Sequence, residues 1–155
     1  QAHGFPGKRT GFGRRKAEDI LKKENPEFLL ILFGTNNVKG KMHDRQSLDK
    51  WMQDLKGIVD QAESRGTVPV LGTIPPRGFD DPQSKPEKRF NQMLIQKARD
   101  WQGPVAYIFE AIQEAGPRKK HLAGDGVHWT SDGMQVAAKA WDRTMDQVEF
   151  ALRFR

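Results

Sequence analysis

What most constrains this chain is its alternation of short, unbroken apolar runs with longer amphipathic stretches. Residues 28–33, Phe-Leu-Leu-Ile-Leu-Phe, form a continuous apolar run that is too short for a helix and ends at Gly34. Such a run reads as a strand buried on both faces. A second run, Thr-Val-Pro-Val-Leu-Gly-Thr-Ile from Thr67, closes on Pro75 and Pro76, and a third lies in Pro-Val-Ala-Tyr-Ile-Phe-Glu at 104–110. The stretches around them repeat at three and four residues. Ala17, Ile20 and Leu21 share a face before Pro26 stops the helix. Leu48, Trp51, Met52, Leu55, Ile58, Val59 and Ala62 follow, with Gly66 where a helix C-terminal glycine belongs. Phe90, Met93, Leu94 and Ala98 mark another helix after the polar loop 77–86, and Met134, Ala138, Trp141, Met145, Val148 and Leu152 mark a long last one from Ser131. None of the strands alternates with period two. Helices alternating with doubly buried strands predict an α/β protein, a three-layer α/β/α sandwich around a parallel sheet. At 155 residues the chain reads as one domain, 1–155, long enough to bury a core.

Composition narrows the chemistry. There is no cysteine, which excludes disulfides, thiolate metal sites and a cysteine nucleophile. The net charge of +6 raises the question of a nucleic-acid partner. Yet the basic residues are interleaved with Glu and Asp along the helices. Only residues 7–16 are one-sidedly basic, without a nucleic-acid motif beside them, so that partner is disfavoured. The run at 28–33 is far too short to span a bilayer. The chain opens at Gln1 rather than a methionine, so processing or truncation is expected and targeting cannot be read.

In open α/β sheets, function collects at the carboxyl ends of the strands. Two short motifs fall there. Gly34-Thr35-Asn36-Asn37 follows the first strand; a plain turn accounts for it, but the Asn36 amide could also donate to a developing oxyanion. Asp125-Gly126-Val127-His128 precedes the last helix; an Asp-Gly turn with an exposed histidine is one account. In the other, Asp125 orients His128 through one ring nitrogen and frees the second as general base. Gly4 to Gly7 leaves only two residues where a phosphate-binding Walker loop needs four before its Gly-Lys, so residues 4–13 read as a flexible loop. His3 and His43 lack partners at ligand spacing, and His121, Asp125 and His128 are too scattered in the loop to read as a metal cluster. No metal and no cofactor is expected.

The order Gly-Phe-Pro-Gly at 4–7, Gly-Thr-Asn-Asn at 34–37 and Asp-Gly-Val-His at 125–128 resembles the SGNH (GDSL-like) hydrolase superfamily across essentially the whole chain. The resemblance implies a flavodoxin-like sheet, an oxyanion hole from the Gly7 N–H and the Asn36 amide, and Asp125 and His128 as acid–base partners. Gly7 stands 29 positions before Asn36, a typical family separation. Thr-Ile-Pro-Pro-Arg-Gly at 73–78 is similar to many bacterial members. Two positions depart from the pattern. Asn37 stands where the family has an aspartate that serves as a structural hydrogen-bond partner, and Trp129 follows the histidine. Both are candidates for the substrate pocket, and Trp129 reads equally well as a buried residue.

The third departure is the nucleophile. The family uses the serine of a Gly-Asp-Ser motif at the end of its first strand, and the motif is absent here. Ser47, Ser64, Ser84 and Ser131 are the serines present, and none follows a buried strand. Because that first strand lies inside the family's sheet, losing it would remove more buried area than a domain's margin tolerates. The expectation is therefore a chain lacking its N-terminal strand, with the nucleophile on a missing segment or a separate chain. The intact protein is expected to be a serine esterase for small-acyl esters, carbohydrate O-acetyl groups first among them, secreted or periplasmic if its substrate is a glycan. Two other readings stand beside it: a non-catalytic SGNH-like module that binds a glycan or ester, and a basic nucleotide- or nucleic-acid-binding α/β domain. Lys39, Lys41, Arg45 and Arg77 could favour acidic glycans or simply be solvated.

Overall fold

In a computed structural model, residues 1–39, 44–80 and 84–154 are described; Lys41, His43 and the centre of the loop after Phe79 lie outside them. The elements run α1 Thr10–Glu24, β1 Phe28–Ile31, α2 Thr35–Val38, α3 Arg45–Glu63, β2 Val68–Gly72, α4 Lys85–Asp100, β3 Val105–Ala106, α5 Ile108–Glu114, α6 Arg118–His121 and α7 Ser131–Arg153. Three strands form a sheet in the order β1-β2-β3. The fold is α/β, a short parallel sheet flanked by helices, as the alternation of patterns requires. By compactness the chain divides into Gln1–Val70 and Leu71–Arg155.

In the first unit α1 packs on α3. Ala17 and Leu21 of α1 are buried, as are Leu48, Trp51, Met52, Leu55, Ile58, Val59 and Ala62 of α3. A Cβ on Gly57 would stand 2.5 Å from Arg14 Nε, so the glycine leaves room for Arg14 to cross α3 and reach Asp54 at 3.5 Å. Asp44 caps α3 by accepting the Ser47 N–H at 2.7 Å, and Gly66 ends its C-terminal turn at φ +72°. β1 departs from expectation. Its sequence reads as buried on both faces, yet Leu30 is 45% and Leu32 36% exposed, because β1 is the edge of the sheet among the described residues.

In the second unit β2 and β3 run parallel, pairing Leu71 with Val105 and Gly72 with Ala106. The third strand is shorter than the apolar run 104–110. It stops at Ala106 because the Thr73 hydroxyl accepts the Phe109 N–H at 2.9 Å, which fixes the first turn of α5. Ala106, Ile108, Ile112 and Ala137 make the core here, with Trp129, Val136, Ala140 and Trp141 against them. A Cβ on Gly72 would lie 2.7 Å from the Trp141 ring, so the glycine in β2 seats that indole. α7 is capped by Thr130, which accepts the Gly133 N–H at 3.2 Å. Its buried face is Gly133, Ala137 and Thr144, whereas Met134 is 55% exposed and Ala138 and Leu152 are exposed too. The helix turns its small residues inward because a Cβ on Gly133 would stand 2.1 Å from the His121 carbonyl oxygen.

Candidate active site

Asp125, Gly126, Val127 and His128 form a tight turn between α6 and α7. Asp125 Oδ1 accepts the Val127 and His128 N–H groups at 2.9 and 3.0 Å, an Asx-type arrangement that bends the chain back on its own carboxylate. Asp125 Oδ2 then meets His128 Nδ1 at 2.5 Å. The bond to His128, with the two backbone N–H groups behind it, holds the Asp125 carboxyl far below the usual carboxylate range. The His128 side chain is 82% exposed, so Nε2 is open to a reactant. An imidazole that donates its Nδ1–H to this carboxylate has its lone pair at Nε2, the arrangement a general base needs.

Gly126 explains how the turn is placed. Its φ is +66°, and a Cβ on it would stand 3.0 Å from the Gly78 Cα. Gly78 answers by donating its N–H to the Gly126 carbonyl at 2.8 Å. Two glycines thus let the loop after β2 and the Asp125–His128 turn touch backbone to backbone. The far side of the turn is a short antiparallel bridge between Leu122 and Trp129, where Ala123 N–H donates to His128 O at 2.8 Å. Trp129 is half-buried against the Ala106–Ile108–Ile112–Ala137 core, which favours the buried reading over the pocket-wall one.

Gly7 and Asn36 belong to the first unit. Phe5-Pro6-Gly7-Lys8 is a β-turn closed by Lys8 N–H to Phe5 O at 3.2 Å, with proline second and glycine third at φ +70°. That is a defined turn rather than a flexible loop. Asn36 Nδ2 donates to the Lys8 carbonyl at 3.1 Å, so one amide N–H is tied to this turn and the other is left to donate elsewhere. Asn37 does not line a pocket. It is 3% exposed, accepts the Thr10 N–H and donates to Thr10 Oγ1, both at 3.1 Å, and so caps α1. Buried to this degree beneath the start of α1, the side chain is out of a ligand's reach.

Sequence reasoning passed over the loop that supports the Asp125–His128 turn. Asn91 clamps Ile74 on both its N–H and C=O at 2.9 Å. Ser84 is fully buried; it accepts the Arg77 N–H at 3.0 Å and donates to the Arg77 carbonyl at 2.6 Å. Arg77 Nη2 lies 3.1 Å from the fully buried Glu87, so Arg77 is partly buried and held in an ion pair. Burial pushes the Glu87 carboxyl up, while Arg77 and Arg118 pull it back. The pair of prolines at 75–76, which cannot donate, was the one sign that side chains must hold this loop. His121 is buried in α6 with Nε2 3.2 Å from Ala115 O, and His3 Nε2 lies 3.7 Å from Glu24. Among the described residues no group of three His, Cys, Asp or Glu is placed to hold a metal ion, and no helix is long and apolar enough to cross a membrane.

Comparisons with known proteins bear on the fold and the family. A multidomain esterase of Ruminococcus flavefaciens is 28% identical over 140 residues, 87% of this chain; the chain spans only 17% of that relative. A proposed acylhydrolase of Bacteroides fragilis superposes with a TM-score of 0.77 at 17% identity, covering 94% of this chain and 74% of that one. An acetylxylan esterase of Geobacillus stearothermophilus superposes with a TM-score of 0.73 at 19% identity, over 89% of this chain and 68% of that one. At these identities the two structures bear on the fold alone. The profile of the GDSL-like lipase/acylhydrolase family matches residues 1–136, and the chain belongs to that family.

Proposed function

We propose that the intact protein is a serine-type carboxylic ester hydrolase acting on small-acyl esters, carbohydrate O-acetyl groups first among them. The observation that carries this is the 2.5 Å contact of Asp125 Oδ2 with His128 Nδ1, with Nε2 left open. In this reading a serine hydroxyl gives its proton to His128 Nε2 as it attacks the ester carbonyl. Asp125 holds the ring and balances the imidazolium. The free Asn36 N–H and the Gly7 N–H donate to the oxyanion, each such donor being worth about 3 kcal/mol. His128 then protonates the leaving alcohol, and a water activated by the same nitrogen resolves the acyl-enzyme.

None of the chain's own serines fits the nucleophile. Ser84 is fully buried and its hydroxyl is occupied; Ser47 and Ser131 open helices and Ser64 ends one. The reading therefore places the serine on a segment outside these 155 residues, paired along β1, and the exposed Leu30 and Leu32 support that placement. In the Geobacillus acetylxylan esterase, the variants described as catalytic mutants replace a serine, an aspartate and a histidine three positions after that aspartate. Asp125 and His128 have the same spacing, which supports their reading as the acid–base pair.

The test is turnover of p-nitrophenyl acetate and of acetylated xylo-oligosaccharide by the full-length protein. His128→Ala should lower kcat by about 10⁴-fold and Asp125→Ala by less, because Asp125 orients the proton transfer and does not perform it. The 155-residue chain alone should show no His128-dependent turnover. Near-native rates in both variants, or His128-dependent hydrolysis by this chain alone, sinks the assignment.

A further inference from the structure

The Asp125–His128 turn rests on two supports, and both lead to one hydroxyl. The first is the loop after β2, whose Gly78 N–H holds the Gly126 carbonyl at 2.8 Å. The second is α6: Leu122 N–H donates to Arg118 O at 2.7 Å, and Thr130 N–H to His121 O at 3.1 Å. Ser84 Oγ joins them. It grips the Arg77 backbone on both sides, one residue before Gly78, and accepts a hydrogen bond from Arg118 Nη1 at 3.0 Å, from the first residue of α6. Arg118 also donates to the Asp80 carbonyl. A hydroxyl has one proton and two lone pairs, and here all three are used.

The surroundings suggest that this arrangement serves more than stability. Glu87 and Ser84 are 0% exposed and Arg118 is 9% exposed. A buried carboxylate between guanidinium groups incurs desolvation that apolar side chains of similar volume would avoid, so such a cluster is weak evidence for stability. What it does define is direction. With Arg77 held at both its N–H and C=O, the next peptide cannot rotate, and its N–H is aimed at Gly126. No slack exists at that contact, since even a Cβ on Gly126 would press on Gly78.

We propose that Ser84 is the positioning residue of the acid–base turn, acting through Arg77 on one side and Arg118 on the other. This rests on the reading of Asp125 and His128 as the acid–base pair. Removing the Ser84 hydroxyl takes away both side-chain holds on the Arg77 backbone and one of the bonds that orient the Arg118 guanidinium. The Gly126 carbonyl then loses its fixed donor, and the Val127 and His128 N–H groups that hold Asp125 move with it. A misplacement on the order of 1 Å at a reacting group can cost about 100-fold in rate.

The experiment compares Ser84→Ala and Glu87→Gln with wild type in the full-length protein, at a temperature well below the melting transition of each. Two readouts are taken: the kcat and KM for p-nitrophenyl acetate, and the NMR cross-peaks of the His128 imidazole C–H groups. We expect Ser84→Ala to lose about tenfold or more in kcat, with KM within about twofold and the His128 peaks displaced. Glu87→Gln should move both readouts in the same direction by less, and it decides the matter if Ser84→Ala does not fold. Folded variants with native kcat and unmoved peaks overturn the proposal, as does a rate loss that merely follows the unfolded fraction. His128→Ala is run beside them. If it keeps its rate, the acid–base reading fails, while the displacement of the His128 peaks still decides whether Ser84 places the turn.

Discussion

Gly126→Ala tests the contact on which the Asp125–His128 turn is built. Two costs add at this position. The φ of +66° lies in the left-handed region, where a non-glycine residue costs about 1–2 kcal/mol. The new Cβ would stand 3.0 Å from the Gly78 Cα and 3.2 Å from its nitrogen, both backbone atoms with no rotamer to escape into. Overpacking of that kind costs about 1–3 kcal/mol. The total, roughly 2–5 kcal/mol, is large against the roughly 5–15 kcal/mol by which domains are stable, so the variant should fold but with a much lower urea midpoint. Two other glycines separate the terms. Gly66 has φ +72° and open space around the Cβ position, so Gly66→Ala should cost the conformational term alone. Gly124, two residues before Gly126, has neither feature, and Gly124→Ala should be neutral or slightly stabilising. Urea unfolding of all three gives the order Gly126 > Gly66 > Gly124 in destabilisation. If Gly126→Ala costs no more than Gly66→Ala, the backbone contact with Gly78 is not tight, and the placement argument for the turn fails with it.

Two further predictions concern stability. Asn37→Ala leaves the buried Thr10 N–H without its acceptor and should destabilise by about 1–3 kcal/mol in urea unfolding; a change below about 0.5 kcal/mol would show that α1 does not depend on this cap. Glu87 has a folded pKa raised chiefly by burial, so the folded protein holds its proton at pH values where the unfolded chain has released it; stability should fall as pH rises from about 4, the usual glutamate range, through the folded value. Glu87→Gln should flatten that slope in a series of urea titrations, and an unchanged slope would show that the carboxyl does not titrate in this window.

The four long helices, α1, α3, α4 and α7, were legible because their apolar residues repeat at the helical period. Asp44, Gly66 and Thr130 do locally what their types allow. Two misreadings have long-range causes. Residues 104–110 look like one strand, but Thr73 reaches across from the neighbouring strand's end and starts a helix inside the run. The face of α7 was placed one residue off because apolar size suggested Met134 and Ala138, whereas the close approach of the His121 carbonyl demanded Gly133. Local pattern cannot report a partner tens of residues away.

The site divides in the same way. Asp125 and His128 were legible because three residues and one Asx-type turn suffice to join them, all within a single loop. Asn37 was misjudged as a pocket residue since its partner, Thr10, lies 27 positions earlier and looks like an ordinary helix start. Ser84 was set aside as a loop serine for the same reason: its hydroxyl ties Arg77, seven residues before it, to Arg118, 34 residues after it. The Asp125–His128 contact is made within one loop, so it is visible in the sequence. Support is dispersed, because a turn held only from within its own loop would swing as one body. The Asp125–His128 turn is held instead from β2's loop and from α6, and the hydroxyl that couples those two holds carries no motif of its own.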